Sequence, residues 1–162
     1  TRVALTLLEQ LLQPEQLVLD LGSGSGILAI AAVKLGAARA IGIETDPEAN
    51  EVGIRNANRN GVADRVRFLE GDAGTLAPLA GPAGLILSNI LRTANTALLP
   101  SITDALEPGG LAIFSGMEHA EASEFRQALR VADFHLIEET LDAGWWGVAV
   151  GRAETTGRTG RK

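Results

Sequence analysis

At 162 residues with 46% hydrophobic side chains, the chain suits one domain with its own core and lacks the low-hydrophobicity signature of disorder. Its formal net charge of −6 disfavours direct nucleic-acid binding and suits a basic partner, and the absence of cysteine excludes a disulfide framework and thiolate metal sites. The longest apolar run, Ile27 to Val33, falls far short of the roughly 18 to 20 residues of a membrane span, so a soluble chain is expected, with cytoplasm as the default.

The elements follow in order. Val3, Leu5, Leu7, Leu8, Leu11 and Leu12 share a broad helical face that Pro14 ends, which predicts a helix from about 2 to 12. The chain opens on Thr1 inside that pattern, so a segment upstream is expected. "LVLDL" at 17–21 is a short strand, then a glycine turn, then the nearly all-apolar helix "ILAIAAVKL" at 27–35 with Gly36 as its stop. "AIGIE" at 40–44 is a second strand, and Asp46, Pro47 and Gly61 mark the N-cap, first position and end of the next helix. "RVRFLEGD" at 65–72 and "GLILSNI" at 84–90 are further strands. Residues 94–106 are helical in period before the breaker "EPGG" at 107–110, and "LAIFSG" at 111–116 is the fifth strand. A helix over 120–132 precedes a hairpin in which "FHLIEETL" and "WWGVAVG" flank "DAG" at 142–144. This order predicts an α/β fold: a Rossmann-like, doubly wound seven-stranded sheet closed by a C-terminal antiparallel hairpin.

Residues 1–152 form the expected domain and 153–162 a disordered basic tail. Arg152, Arg158, Arg161 and Lys162 against Glu154 put +3 at the end of the chain and leave −9 on the rest.

The glycine turn is "DLGSGSG", with Asp20 before Gly22, Ser23, Gly24 and Gly26. Its spacing is G-x-G-x-G rather than the G-x-G-x-x-G of hydride-carrier sites, and the Walker lysine–serine pair is missing after it. A dehydrogenase therefore ranks low and nucleotide hydrolysis drops out. In a methyl-donor site such a turn lets backbone approach the methionine and ribose parts closely, and Asp20 suits the methionyl ammonium. Glu44 ends the second strand 20 residues past Gly24, where a carboxylate can accept from both ribose hydroxyls. Gly71, Asp72 and Ala73 end the third strand, where Asp72 can reach the exocyclic amine of adenine. Three successive strand ends, each suited to one part of S-adenosylmethionine, point to that cofactor.

Together "LDLGSGSGILAIAAVKLGA", "AIGIETDP", "NANRNGV", "RVRFLEGD" and "LSNIL" resemble the catalytic domain of class I S-adenosylmethionine-dependent methyltransferases, most closely the PrmA type, over residues 1 to about 152. The resemblance implies an N-methyltransferase acting on amino groups, a lysine ε-amine or an α-amine, of the eleventh protein of the large ribosomal subunit. It also implies an additional N-terminal recognition domain and a threonine-rich segment before the first helix, of which Thr1 and Arg2 would remain. The chain departs from the family at Gly84, where an acidic residue is usual, and at "SGME", 115–118, which replaces a more apolar stretch.

On the acceptor side Ser88, Asn89, Ile90 and Leu91 stand where many amine methyltransferases carry Asn or Asp, two prolines and an aromatic. An attacking amine must be deprotonated with its lone pair aimed along the sulfur–methyl axis at about 3 to 3.5 Å, and an amide oxygen can hold its N–H without trapping that lone pair. Asn89 is the candidate catalytic residue and also borders the cofactor. His119 reads as a capping or surface histidine and His135 as one accommodated by a strand, leaving no metal site. Trp145 and Trp146 suit core packing or a wall of the acceptor pocket. Two other readings stay open: a related methyltransferase acting on a small amine or another protein, and a cofactor-binding module without turnover.

Overall fold

A computed structural model describes residues 1–152 of the chain; the expected basic tail lies outside the described residues. Helix α1 (Arg2–Leu11) buries Val3, Ala4, Leu7 and Leu8, the face its periodicity predicts. Strand β1 (Leu17–Leu21) leads through the glycine turn into α2 (Ile27–Lys34), which is buried at Leu28, Ala29, Ile30, Ala32 and Val33. After β2 (Arg39–Glu44), helix α3 (Pro47–Arg59) starts as its sequence predicts: Asp46 accepts from the Glu48 N–H at 2.9 Å, with Pro47 in the first turn.

Strand β3 (Val66–Glu70) is followed by an unexpected short helix, α4 (Ala73–Ala80), capped by Asp72. Eight residues containing Gly74 and Pro78 carry little helical signal, and burial of Ala77 and capping supply what propensity lacks. Strand β4 (Ala83–Asn89), helix α5 (Arg92–Ala105) and strand β5 (Leu106–Glu118) come next. Here "EPGG" does not separate helix from strand. It lies inside β5, where the register with β4 jumps from Ala83↔Leu106 to Leu85↔Leu111 and Gly109 takes a φ of 77°. The breaker residues make an irregularity in a paired strand, which local sequence cannot distinguish from a loop. A 3₁₀ turn (His119–Glu121) precedes α6 (Ala122–Val131), and β6 (Phe134–Asp142) and β7 (Trp145–Arg152) form the hairpin. Its two turn residues, Ala143 and Gly144, both have positive φ, 50° and 85°, as a tight right-twisted hairpin requires.

The seven strands are ordered β3-β2-β1-β4-β5-β7-β6. The first five pair in parallel, and β7 enters antiparallel between β5 and β6. This is the expected doubly wound sheet with a mixed edge. One core lies under α4, α5 and α6 and includes Phe114, Phe125 and Trp146; the other lies under α1, α2 and α3. The Phe125 ring stands edge-on to Phe114 at 5.1 Å and to Trp146 at 6.3 Å, so it joins α6 to the strands that carry the antiparallel edge. No helix among the described residues is long and apolar enough to cross a membrane.

Phe125 is fully buried, so Phe125→Ala should lower stability by about 3–5 kcal/mol, read as a fall in urea midpoint at unchanged slope.

Candidate functional site

The central strands end at one edge of the sheet, and between β1 and β4 the winding reverses, so the loops there splay apart and leave a crevice. The glycine turn forms one wall. Gly22 and Ser23 donate to Ile43 O at 2.8 and 3.2 Å, tying the turn to β2, and Gly26 donates to Ser23 O at 2.8 Å. Gly22, Gly24 and Gly26 all have positive φ, but their missing Cβ atoms serve different ends. A Cβ on Gly22 would stand 2.6 Å from Ile90 Cγ2 and one on Gly26 2.5 Å from the Phe68 ring, so both glycines make room for protein. A Cβ on Gly24 would meet nothing within 4 Å. Of the three, Gly24 is the one whose backbone faces open space.

Glu44 projects from the end of β2 beside the turn. Its Oε2 accepts from the Gly24 N–H at 2.9 Å, while Oε1 accepts from Thr45 N at 2.8 Å, Thr45 Oγ1 at 3.2 Å and Asp46 N at 3.1 Å. Each carboxylate oxygen has two lone pairs: Oε1 is fully taken by its three donors, whereas Oε2 meets one and keeps one acceptor position. Asp72 is exposed at the end of β3 and accepts from Thr75 N at 2.9 Å and Thr75 Oγ1 at 3.0 Å through Oδ1, leaving Oδ2 without a protein partner among the described residues. Gly22, Glu44, Asp72, Ala73 and Ile90 line a common cavity of about 320 Å³. The third-strand and second-strand candidates thus meet one space.

Asp20 sits elsewhere. It is 1% exposed and its Oδ2 accepts from the Ala29 N–H of α2 at 3.1 Å, beneath the turn rather than on the wall of that cavity. Burial pushes its carboxyl up to about 7; the Ala29 bond opposes that rise and the Glu44 charge adds to it. Ser23 is also buried, with an Oγ that has no partner among the described residues.

A second cavity, of about 670 Å³, takes Asn89, Ile90, Gly116, Trp145, Asp142 and Thr1 in its walls. Ile90 lines both cavities, so the β4–α5 loop divides one crevice into two compartments. Asn89 Nδ2 donates to Thr1 Oγ1 at 3.3 Å, and Asn89 Oδ1 accepts from Ser115 Oγ at 2.8 Å. The two tryptophans part company: Trp145 is 52% exposed and walls this cavity, whereas Trp146 is buried against Phe125. His119 opens the 3₁₀ turn and His135 stands in β6, both exposed, and no metal-binding group of side chains occurs among the described residues.

Sequence reading missed the residues that hold this loop. Asn95, 0% exposed, donates from Nδ2 to Ile90 O and to Ser115 O, both at 3.1 Å, and accepts at Oδ1 from Ser88 Oγ at 2.7 Å. Its signal was available: Asn95, Leu99 and Ile102 fall on one buried face of α5, where a polar residue must have partners.

Over residues 1–153 the sequence matches the family model for ribosomal protein L11 methyltransferase (PrmA). The chain belongs to this family. Among its relatives, the ribosomal protein L11 methyltransferase of Thermus thermophilus is 43% identical over 94% of this chain and 58% of the relative's length. That of Pelotomaculum thermopropionicum is 38% identical over 92% of this chain and 48% of the relative. The chain therefore spans about half the length of the curated relatives it matches. The crystal structure of a ribosomal protein L11 methylase from Lactobacillus delbrueckii subsp. bulgaricus superposes with a TM-score of 0.83 at 31% identity, covering 92% of this chain and 77% of that one.

A Cβ on Gly84 would lie 2.7 Å from Gln16 Nε2, so the Gln16 side chain packs over this glycine.

Because folded Asp20 keeps its proton to about pH 7 while the unfolded carboxyl loses it near 3.8, the ligand-free fold should lose stability as pH rises through that window. Asp20→Asn retains an acceptor for Ala29 N–H and removes this dependence. Its stability relative to wild type should rise from pH 4 to pH 7, by about 1.4 kcal/mol per pH unit as an upper bound, and level off above, as urea midpoints measured across that range would show.

Proposed function

We propose that this chain is the cofactor-binding and catalytic part of an S-adenosylmethionine-dependent N-methyltransferase, with amino groups of a ribosomal protein as acceptors. The observation that carries the reading is the divided crevice: Glu44 and Asp72 on one side of Ile90 and Asn89 on the other. Family membership supports the same assignment. The related proteins are named for ribosomal protein L11, which we take as the acceptor, a basic large-subunit protein suited to a body of charge −9.

The residues present fit the cofactor. Gly22 brings the turn to the cavity wall and Gly24 beside Glu44 has no atom in front of its missing Cβ; Glu44 Oε2 offers one free acceptor position for a ribose hydroxyl, and Asp72 Oδ2 an open acceptor for an amine. A second hydroxyl on Glu44 requires exchange of one of its present backbone donors. Asp20 is buried below the turn and makes no contact from there; a cationic ligand above it would favour its ionised form and so oppose the rise that burial causes. When bound, S-adenosylmethionine supplies a methyl group made electrophilic by its sulfonium.

The protein's part is positioning. Asn89 Oδ1 keeps one lone pair beyond its bond to Ser115, enough to hold a single N–H of the acceptor while the amine lone pair stays free. An α-amine, with a reference pKa of about 7.7–8.0, reaches the reactive form near neutrality, whereas a lysine at about 10.4 must be desolvated or lose its proton to water. Ile90, Leu91 and Trp145 give that compartment apolar walls, which favour the neutral amine and suit a transition state in which charge is dispersed.

Calorimetric titration tests the reading. S-adenosylmethionine and S-adenosylhomocysteine should bind and NAD should not, and Glu44→Ala should weaken both about tenfold or more through loss of the charge-assisted bond. Asn89→Ala should leave S-adenosylhomocysteine affinity within about twofold and lower methyl transfer to ribosomal protein L11 by about 10²-fold. NAD binding, or methyl transfer indifferent to Asn89, would overturn the assignment.

A further inference from the structure

"SGME" has no role in the mechanism so far, yet its first residue touches the group on which acceptor positioning depends. Asn89 and Ser115 are register partners on the parallel strands β4 and β5, so their side chains project from the same face. Ser115, 1% exposed, donates Oγ–H to Asn89 Oδ1 at 2.8 Å, and its carbonyl is held in turn by Asn95 Nδ2 at 3.1 Å. Gly116, with φ 83°, lets β5 press on the loop: a Cβ there would lie 2.6 Å from Ile90 O.

We propose that Ser115 is a positioning residue for the acceptor, acting through Asn89: its hydroxyl defines the plane of the Asn89 amide at the wall of the larger cavity. This rests on the reading of Asn89 as the group that holds the acceptor N–H. The terminal torsion of asparagine is broad and roughly two-fold, so packing alone does not define where Oδ1 lies. A bond from Ser115 at one end of the amide and one to Thr1 at the other do. Without the first, Oδ1 loses its fixed partner, and an amide that swings its N–H groups toward the amine ties up the lone pair that must attack. Ser115 lines neither cavity, so the cofactor compartment should not register its loss.

The test uses the full chain, with S-adenosylhomocysteine as binding probe and purified ribosomal protein L11 as acceptor. Ser115→Ala, and Ser115→Cys, which keeps a side chain of similar shape but only a weak donor, should each lower kcat about tenfold or more. S-adenosylhomocysteine affinity should stay within about twofold, and Ser115→Thr should recover most of the rate. In an Asn89→Ala background, Ser115→Ala should cost less than about twofold, since the pair acts as one unit. A full, multiplicative loss in that background, or an equal loss of S-adenosylhomocysteine affinity, would overturn the proposal.

An arm independent of turnover follows the Asn89 side-chain NH₂ by NMR. Its exchange with water should quicken about tenfold in Ser115→Ala, and unchanged exchange would overturn the proposal. Should the wild type bind S-adenosylhomocysteine yet methylate nothing, the proposed function fails and the NMR arm alone decides whether Ser115 positions Asn89.

Discussion

A parallel sheet buried on both faces brings its strands to an end at a single edge, and the arrangement of this protein depends on that constraint. Each β-to-α connection delivers its turn residues there, so Gly24, Glu44, Asp72 and Asn89 arrive at one rim although they are spread over 66 residues of chain. The reversal of winding between β1 and β4 keeps two of those connections from covering each other, and the crevice is the space left between them.

The rim carries its own restraints. Glu44 holds the glycine turn and the start of α3 through one carboxylate, and Asp72 caps α4 while facing the same cavity. These side chains line the cavity and hold the structure at once, so their geometry is set by the fold. Such preorganisation lowers the ordering cost of binding. Across Ile90 the restraint is a buried polar network. Asn95 fixes the β4–α5 loop to β5, and Arg92 reaches Glu121 at 3.4 Å and Glu124 at 2.7 Å, joining the start of α5 to the 3₁₀ turn and α6.

The antiparallel hairpin sits beside this edge and contributes one tryptophan to each face of the sheet. Trp146 completes the aromatic group with Phe125, and its neighbour Trp145 turns to the opposite side and walls the larger of the two cavities at the strand ends. Strand alternation alone separates packing from site in two adjacent identical residues.

Local chemistry in the sequence determined much of the molecule. β1 at 17–21, the capped start of α3 at Asp46–Pro47, the glycine turn and the tight hairpin at Ala143–Gly144 are written in local residue types: an apolar run, a capping side chain with proline, and glycines that adopt positive φ at no steric cost. α4 and the "EPGG" segment were not legible, because the one is stabilised by a cap and a buried alanine and the other by pairing with a strand some 25 residues away. Among site residues, the sequence by itself marked Gly24, Glu44, Asp72 and Asn89 at the ends of strands. Only the tertiary structure decided that Asp20 lies below the turn, that Gly22 and Gly26 make room for Ile90 and Phe68, and that Ser115 and Asn95 hold Asn89 and its loop. Those relations join residues distant in the chain, and they exist because two strands ended side by side.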